Sequence, residues 1–445
     1  MTPQEEAAIA TYVELVPHLY RYLDAANEIQ TLAHRIDEGD LKAVSFVDRF
    51  IAEATRLFPQ WTTEHHREVG ELLERELRSR KADIEALSSG LAPLGLEDLD
   101  WAWLQGLNDA IQTITGDATA SIIYLQVWPR VARSRWGSDV LLPALLTTAI
   151  GDFEVLVARY VRSILTLRPQ ILNLYERTYT VSDIRAFDTI EALEAEAIDD
   201  RADRIMTGGY ESWAQWLLDR GIVIDGTTRN PDPVLLEAFQ RRHLFVHKGG
   251  EVDSAYVRKV PGTEFIVGDE PDVTAQYLVD VVDAATIAAL KISSAAFKHF
   301  TKGSPAELDA LFDYIAGHSS YTLLSNCRFG VVANYEEWAA QHRSGPVAQQ
   351  IAVVNGWLAR KRLGQFEDIR AEVEGWDPTE LGPKFSLAKH ALLDAVPEAH
   401  ALARRLIEDG DLELREYLEW PLLAEARAYD GEIQDPSEQI APHGS

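Results

Sequence analysis

Apolar residues recur every three or four positions through almost the whole chain, and this period constrains the fold more than any other feature. It is clearest over Ser138–Leu167, where one stripe contains Ile150, Phe153, Val157, Val161 and Ile164. Thr63–Leu87 repeats the period with charged residues between the apolar ones. Strands would show alternation at every second position, which only residues 259–268 approach. We therefore expect an all-α fold with one small β-hairpin over 259–268.

The chain is too long for a single hydrophobic core, because it contains 445 residues. Gly- and Pro-containing stretches divide the helical patterns into three groups. We expect an N-terminal helical domain over residues 1–115 and a central helical bundle over 116–302. A C-terminal domain of paired, repeat-like helices would follow over 303–430, and residues 431–445 would form a disordered tail.

The composition is that of a soluble protein, with 46% hydrophobic and 25% charged residues. The single cysteine, Cys327, excludes an intramolecular disulfide and suits a reducing compartment; we expect it to be a small buried residue. There is no leader-like segment and no run approaching about 18 apolar residues, so we expect a cytoplasmic protein without membrane spans. The formal net charge of −29 repels polyanions, so nucleic-acid binding would require a local positive site.

One helix carries an unusual group of cationic and imidazole side chains near its end. Asp232 followed by Pro233 predicts its start, and Gly249–Gly250 predicts its stop. At about 100° per residue, Arg242 falls within about 20° of Leu235, beside the apolar face. His243 and His247 lie at the edge of that face, whereas Arg241 points to the opposite side.

An arginine beside an apolar face needs an anionic partner, because an unpaired buried guanidinium is costly. Within the chain we expect that partner to be Glu154, which lies at the edge of the apolar stripe of Ser138–Leu167. A purely structural Arg242–Glu154 pair flanked by two satisfied histidines is the alternative to a functional site.

The arginine, the adjacent histidine and the second histidine resemble the R-x4-6-H signature of HEPN domains. These helical modules occur in RNA-cleaving toxins, in antiphage defence proteins and in some non-catalytic nucleotide-binding proteins. The residue after the arginine is commonly Asn, Asp or His in that signature, and here it is His243. The resemblance runs from the Ser138–Leu167 segment to Phe300, so it implies that the central bundle is HEPN-like.

The resemblance implies a metal-independent endoribonuclease with no cofactor, acting at a cleft between two copies of the chain. His247 would be the general base or acid at the ribose 2′-hydroxyl, and Arg242 would bind the scissile phosphate. His243 would orient a catalytic group or the phosphate, and Glu154 would support the arginine. Arg241 and Lys248 would contact the RNA. The family also implies a toxin-like role in antiviral defence, with a protein regulator or antitoxin as a further partner.

Two other interpretations stay open. His243 and His247 are four positions apart on a helix, which is the spacing of two zinc ligands, but the glutamate of the H-E-x-x-H motif and a third ligand are missing. The chain could also be a non-catalytic protein whose HEPN-like unit only dimerises, holds a nucleotide or acts as a scaffold.

His65 and His66 lie in a highly charged helix, where we expect both side chains to be solvated.

Overall fold

The computed structural model describes residues 3–37, 46–79, 101–117, 119–120, 124, 138–168, 170–171, 179–222, 232–300 and 305–429. All regular structure in these ranges is helical, and they contain no strand or sheet. The predicted all-α class is therefore confirmed.

The described helices are numbered here in chain order. They are α1 (Pro3–Asp37), α2 (Phe46–Leu57), α3 (Thr63–Ser79), α4 (Trp101–Thr115), α5 (Ser138–Leu167), α6 (Val181–Arg185), α7 (Ile190–Thr207), α8 (Gly209–Leu218), α9 (Pro233–His247), α10 (Ser254–Lys259), α11 (Ala275–Phe300), α12 (Pro305–Ser325), α13 (Phe329–Ala340), α14 (Pro346–Arg362), α15 (Phe366–Gly375), α16 (Pro383–Leu392), α17 (Val396–Glu408), α18 (Leu414–Glu419) and α19 (Ala424–Arg427). A short 3-10 turn, Pro421–Leu423, precedes α19.

The chain contacts divide the protein into two compact units. The larger unit comprises Met1–Gln30, Thr147–Pro271 and Val279–Ser445, and the smaller comprises Thr31–Leu146 and Asp272–Leu278. The domain boundaries at 115, 302 and 430 stay a prediction. The proposed tail, residues 431–445, lies outside the described residues.

The smaller unit has an aromatic core centred on Tyr124. The Tyr124 ring stacks on Phe50 and Trp61, with centroid distances of 5.6 Å and 4.9 Å. His66 is fully buried beside it, and its Nδ1 lies 2.8 Å from the Tyr124 hydroxyl. The expectation that His66 is solvated is therefore wrong, because α3 turns this residue toward the aromatic core. Burial lowers the pKa of His66, which favours a neutral imidazole.

The core of the larger unit is built around α5. The predicted stripe of apolar residues is confirmed, since these five side chains have no exposed surface: Ile150, Phe153, Val157, Val161 and Ile164. Phe153 contacts Trp213 of α8 and Phe239 of α9, with ring centroids 5.8 Å and 6.4 Å away. Aromatic packing at these distances fixes α9 against α5 and α8, so it also fixes the direction of the polar residues on α9.

Consecutive helices in the C-terminal part pack as neighbours, α13 against α14 and α16 against α17. Short connections between such helices make them antiparallel. Buried alanines and leucines fill the space between α16, α17 and α19. The predicted repeat-like character of this region rests on such pairs and stays a prediction.

Cys327 follows the end of α12 and is exposed, so the expectation that it is buried is wrong. Its φ of 58° is left-handed, and the amide of Arg328 donates to the Leu323 carbonyl at 2.8 Å. This arrangement ends the helix and directs the residue at the turn toward solvent.

Residues 259–268 form no strand, so the predicted hairpin is wrong. Two backbone bonds close the loop: the Val252 amide donates to the Asp269 carbonyl at 2.8 Å, and the Gly268 amide donates to the Val252 carbonyl at 2.9 Å. Inside the loop, the Ile266 amide donates to Asp269 Oδ2 at 2.8 Å. Because a nearby side chain accepts this bond, the segment forms turns instead of a ladder between strands.

The α5 segment Val140–Leu167 is long and apolar enough to cross a membrane, judged by length and composition alone. Its most apolar 18-residue window has a mean hydropathy of 1.8, and 39% of that window is buried within the protein. Core helices of soluble proteins meet the same criteria. Arg162 of α5 pairs with Asp199 and Asp203 of α7, at 2.7 Å and 3.1 Å, which is typical of a helix packed against other helices. The expected absence of membrane spans stays a prediction.

Candidate functional site

The ends of α9 are those the sequence predicts. Asp232 Oδ1 accepts hydrogen bonds from the amides of Val234 at 2.9 Å and Leu235 at 3.2 Å, and Pro233 occupies the first turn. Gly249 and Gly250 have φ values of 67° and 95°, in the left-handed region that glycine adopts without strain. Both predicted helix signals are confirmed, so Arg242 and the two histidines lie in the last two turns of the helix.

The buried face of α9 rotates along its length. In the first half Leu235, Leu236 and Phe239 are buried, as the wheel predicts. In the second half Leu244 is buried, whereas Val246 is 47% exposed. At about 100° per residue Val246 falls within about 20° of Leu235, so the helical period predicts a core-facing position for it, and this prediction is wrong. The first half packs toward α5 and α8, but the second half packs on the segment that follows the helix.

That following segment forms a small apolar cluster with the end of α9. Leu244 packs with Val252, Tyr256 and Val260, and Phe265 lies against them. This cluster was not predicted from the sequence, because its members are spread over two turns and a short helix. The aromatic residues Tyr256 and Phe265 beside Gly249–Gly250 were the available signal.

Arg241 lies on this covered side of α9 and is only 7% exposed, so the prediction that it points away from the protein was wrong. Its Nη2 and Nε donate to Glu237 Oε1 at 2.6 Å and 2.9 Å, and the Tyr256 hydroxyl donates to the same oxygen at 2.9 Å. Its guanidinium also lies over the Phe265 ring, 5.3 Å from the centroid. Burial raises the pKa of Tyr256 to about 12. These contacts hold Arg241 inside the protein and make it unsuited to the RNA contact predicted for it.

Arg242 pairs with Glu154 of α5, which is the partner expected from the sequence. The Nη2–Oε2 distance is 3.5 Å, and the two side chains are 32% and 25% exposed. The Arg242 Nε is buried and has no hydrogen-bond partner within the described part of the chain. Partial burial raises the pKa of Glu154, and the nearby Arg242 opposes that rise. The pair is long and the Arg242 side chain is about one third exposed, so the guanidinium can take a further acceptor from solvent.

His243 and His247 are exposed on the same edge of α9, and their ring centroids are 5.0 Å apart. Partial burial lowers the pKa of His243, and the neighbouring His247 lowers it further. Lys248 and Lys259 act in the same direction, whereas Asp253 raises the pKa. His243 is therefore predominantly neutral near neutral pH and able to accept a proton.

Lys248 follows the two histidines and extends the positive surface. Its Nζ lies 3.6 Å from Asp253 Oδ2, and its side chain is 46% exposed. Asp253 also accepts from the amides of Ala255 at 3.0 Å and Tyr256 at 2.9 Å, which begin α10. Asp253 thus holds the loop that presents Lys248 beside the histidines.

The described residues contain no group of three or more His, Cys, Asp or Glu side chains arranged to hold a metal ion. Within the described part of one chain, the pair His243 and His247 therefore has no third ligand beside it. The site instead combines a half-exposed guanidinium with two exposed imidazoles. This combination suits binding of a phosphate together with proton transfer to or from an adjacent hydroxyl.

Comparison of the chain with protein-family models, with curated proteins and with solved structures found no match.

Proposed function

We propose that the protein is a metal-independent endoribonuclease of the HEPN type. The observation that carries the proposal is that the last two turns of α9 hold a loosely paired, partly exposed Arg242 together with the exposed His243 and His247. A purely structural ion pair would be largely buried and joined by short hydrogen bonds, as the Arg241–Glu237 pair is on the adjacent side of the same helix.

In the proposed reaction, an imidazole accepts the proton of the ribose 2′-hydroxyl as its oxygen attacks the adjacent phosphorus. The bond from phosphorus to the 5′-oxygen breaks, and a second acid protonates that oxygen. The products are a 2′,3′-cyclic phosphate and a 5′-hydroxyl. Arg242 binds the non-bridging phosphate oxygens and stabilises the charge that grows on them. His247 is the acid–base group, and the neutral His243 orients the phosphate or the reacting hydroxyl.

The proposal includes a homodimer. In-line displacement requires the acid and the base on opposite sides of phosphorus. The rings of His243 and His247 are too close, at a centroid distance of 5.0 Å, for a phosphoryl group to lie between them. A second copy of the chain would supply the opposing group, together with its own Arg242.

Charge limits how RNA reaches this site. The chain has 71 acidic and 42 basic residues, so its general field repels RNA. Lys248 and Lys259 are exposed and close enough to His243 to lower its pKa, so they give a local positive surface. We expect weak, salt-sensitive binding of bulk RNA by the free protein. A protein regulator and a toxin-like role in antiviral defence belong to the same proposal through the family resemblance alone.

The test is incubation of the purified full chain with total RNA in the presence of EDTA. Arg242→Gln and His247→Gln are compared with Arg204→Gln and His34→Gln, which change exposed residues outside the site. We expect the wild type and both controls to cleave RNA and to leave cyclic phosphate ends. The two site variants should lose about 100-fold or more of the rate, the size of effect seen when one charge-stabilising donor is removed.

Light scattering on the same samples measures the oligomeric state. Loss of cleavage on addition of EDTA would point to the metal interpretation of His243 and His247 instead. Cleavage at the wild-type rate by either site variant, or no cleavage by the folded wild type, would contradict the proposed nuclease.

A further inference from the structure

A groove between α1 and α5 carries positive charge that the proposed nuclease does not use. Two adjoining cavities of about 110 Å³ and 390 Å³ share His18, Val155 and Arg159 in their walls. Arg21 and Asp152 line the smaller cavity. We call this continuous feature the α1–α5 groove. Only the larger cavity reaches the size of about 300 Å³ at which ligand cavities in proteins begin, and the smaller cavity, which holds Arg21 and Asp152, adjoins it.

The two arginines of the groove lack a carboxylate partner in the part of the chain that the structure describes. Within the described residues, neither Arg21 nor Arg159 forms an ion pair, and Arg159 Nη1 instead donates to His18 Nδ1 at 3.2 Å. This is unexpected in a chain with 71 acidic and 42 basic residues, where most arginines can find a carboxylate. Both arginines line the smaller cavity, where their like charges repel each other, and a bound anion would relieve that repulsion.

The other charged groups of the groove define its polarity. Arg162 lines one end but is held by Asp199 and Asp203 of α7, at 2.7 Å and 3.1 Å. Asp152 lines the smaller cavity and is partly buried, which raises the pKa of its carboxyl group. The groove therefore offers two unpaired cations for an anion and one carboxyl group for a hydrogen-bond donor.

Apolar side chains complete the walls. Ala25 of α1 and Val155 and Leu156 of α5 line the smaller cavity beside Asp152. An occupant can thus bury a short carbon skeleton while its charged end meets the arginines.

We propose that the α1–α5 groove binds a small organic phosphate. Arg21 and Arg159 hold its phosphate group, and Asp152 accepts a hydrogen bond from its hydroxyl or amino group. A phosphate fits better than a carboxylate, because its two negative charges match two guanidinium groups and its oxygens suit their planar donors. At about 100° per residue, Arg159 lies about 140° around α5 from Glu154, so this is a different face from the one that contacts Arg242. The site is separate from the proposed nuclease and does not depend on it.

The test is titration calorimetry and thermal unfolding of the full chain with pyrophosphate as the probe. The double variant Arg21→Gln/Arg159→Gln is compared with Arg404→Gln/Arg405→Gln, which removes the same charge from exposed positions on α17. We expect pyrophosphate to bind the wild type and the control and to raise their unfolding temperatures. Affinity should fall about tenfold or more in the groove variant, since charge-assisted hydrogen bonds are lost.

Without pyrophosphate, the groove variant should unfold at or above the wild-type temperature, because substitution removes a repulsion. This keeps loss of binding distinct from loss of folding. No binding by the wild type, or equal binding by the wild type and the groove variant, would overturn the proposal. Displacement of pyrophosphate by a single-stranded RNA that lacks terminal phosphates would show an RNA surface instead and would also overturn it. The rate of RNA cleavage, measured in parallel, depends on Arg242 and His247, which the groove variant leaves intact.

Discussion

Two arginine–glutamate pairs, Arg343–Glu336 in the C-terminal helices and Arg242–Glu154 between α9 and α5, differ in burial and in the distance between their charges. The Arg343 and Glu336 side chains are 1% and 0% exposed, with Nη2 3.0 Å from Oε2. Asn355 Nδ2 also donates to Glu336 Oε1 at 3.1 Å. The Arg242 and Glu154 side chains are 32% and 25% exposed and 3.5 Å apart. The first pair is sealed and holds helices together, whereas the second is loose and open to a ligand.

The arginine of a third pair is intermediate in exposure between Arg343 and Arg242. Arg241 and Glu237 have side-chain exposures of 9% and 23% and a separation of 2.6 Å. Arg241 is adjacent to Arg242 in the sequence, but its side chain faces the segment that carries Tyr256 and Phe265. Residue type alone therefore does not separate a structural arginine from an available one. The exposure of each arginine side chain and the length of its contact with the carboxylate separate them.

The largest effect is expected for Arg343→Met. The substitution leaves the Glu336 carboxylate buried with Asn355 as its main donor, which should cost about 3–5 kcal/mol of unfolding free energy. Urea unfolding followed by circular dichroism measures this. Replacing both members, as Arg343→Met/Glu336→Leu, should recover most of the loss, because no buried charge then remains. A loss below about 1 kcal/mol in the single variant would show that the pair is not structural.

A smaller loss is expected for Arg241→Met, about 1.5–3 kcal/mol, because Glu237 loses two charge-assisted bonds but keeps the Tyr256 hydroxyl. The same urea measurement applies, with Arg204→Gln as the exposed control. If Arg241→Met were as stable as that control, the segment after α9 would not seal the arginine as the contacts indicate.

Arg242→Gln should change stability by less than about 1 kcal/mol, since a long, half-exposed pair contributes little. The proposed function requires the same substitution to abolish most RNA cleavage. Unfolding and cleavage are therefore measured on one preparation. A loss of stability as large as that of Arg241→Met would assign Arg242 a structural role and weaken the contrast between the two arginines.

The smallest expected effect is a pH dependence at Glu154. Its pKa is raised in the folded protein, mainly by burial, so the folded state binds this proton more tightly than the unfolded state. The stabilisation is present below the unfolded pKa and is lost as the pH rises through the folded pKa. Relative to Glu154→Gln, wild-type stability should therefore fall as the pH rises above the ordinary glutamate pKa of about 4.3. Glu408→Gln, at an exposed position, is the control. If wild-type stability rose with pH instead, the attraction of Arg242 would outweigh the effect of burial on the Glu154 pKa.

The helices and their ends were largely predictable. The boundaries of α5 and the cap signals Asp232, Pro233 and Gly249–Gly250 agree with the structure, because these signals act between residues close in sequence. The Arg242–Glu154 pair was also predictable, since each residue borders an apolar stripe that must face the other. Whether Arg241, Val246 and His66 are buried was not predictable. In each case the segment that covers or exposes the side chain is a loop or is distant in sequence.

The sequence by itself determined an all-α protein and placed an arginine and two histidines in the last turns of one capped helix, because period, propensity and capping are local. Only the tertiary structure decided which arginine is sealed and which is open. A helical wheel fixes the angles between side chains but not the directions from which other segments approach. The segment carrying Tyr256 and Phe265 covers the Arg241 side of α9, so burial changes face halfway along the helix.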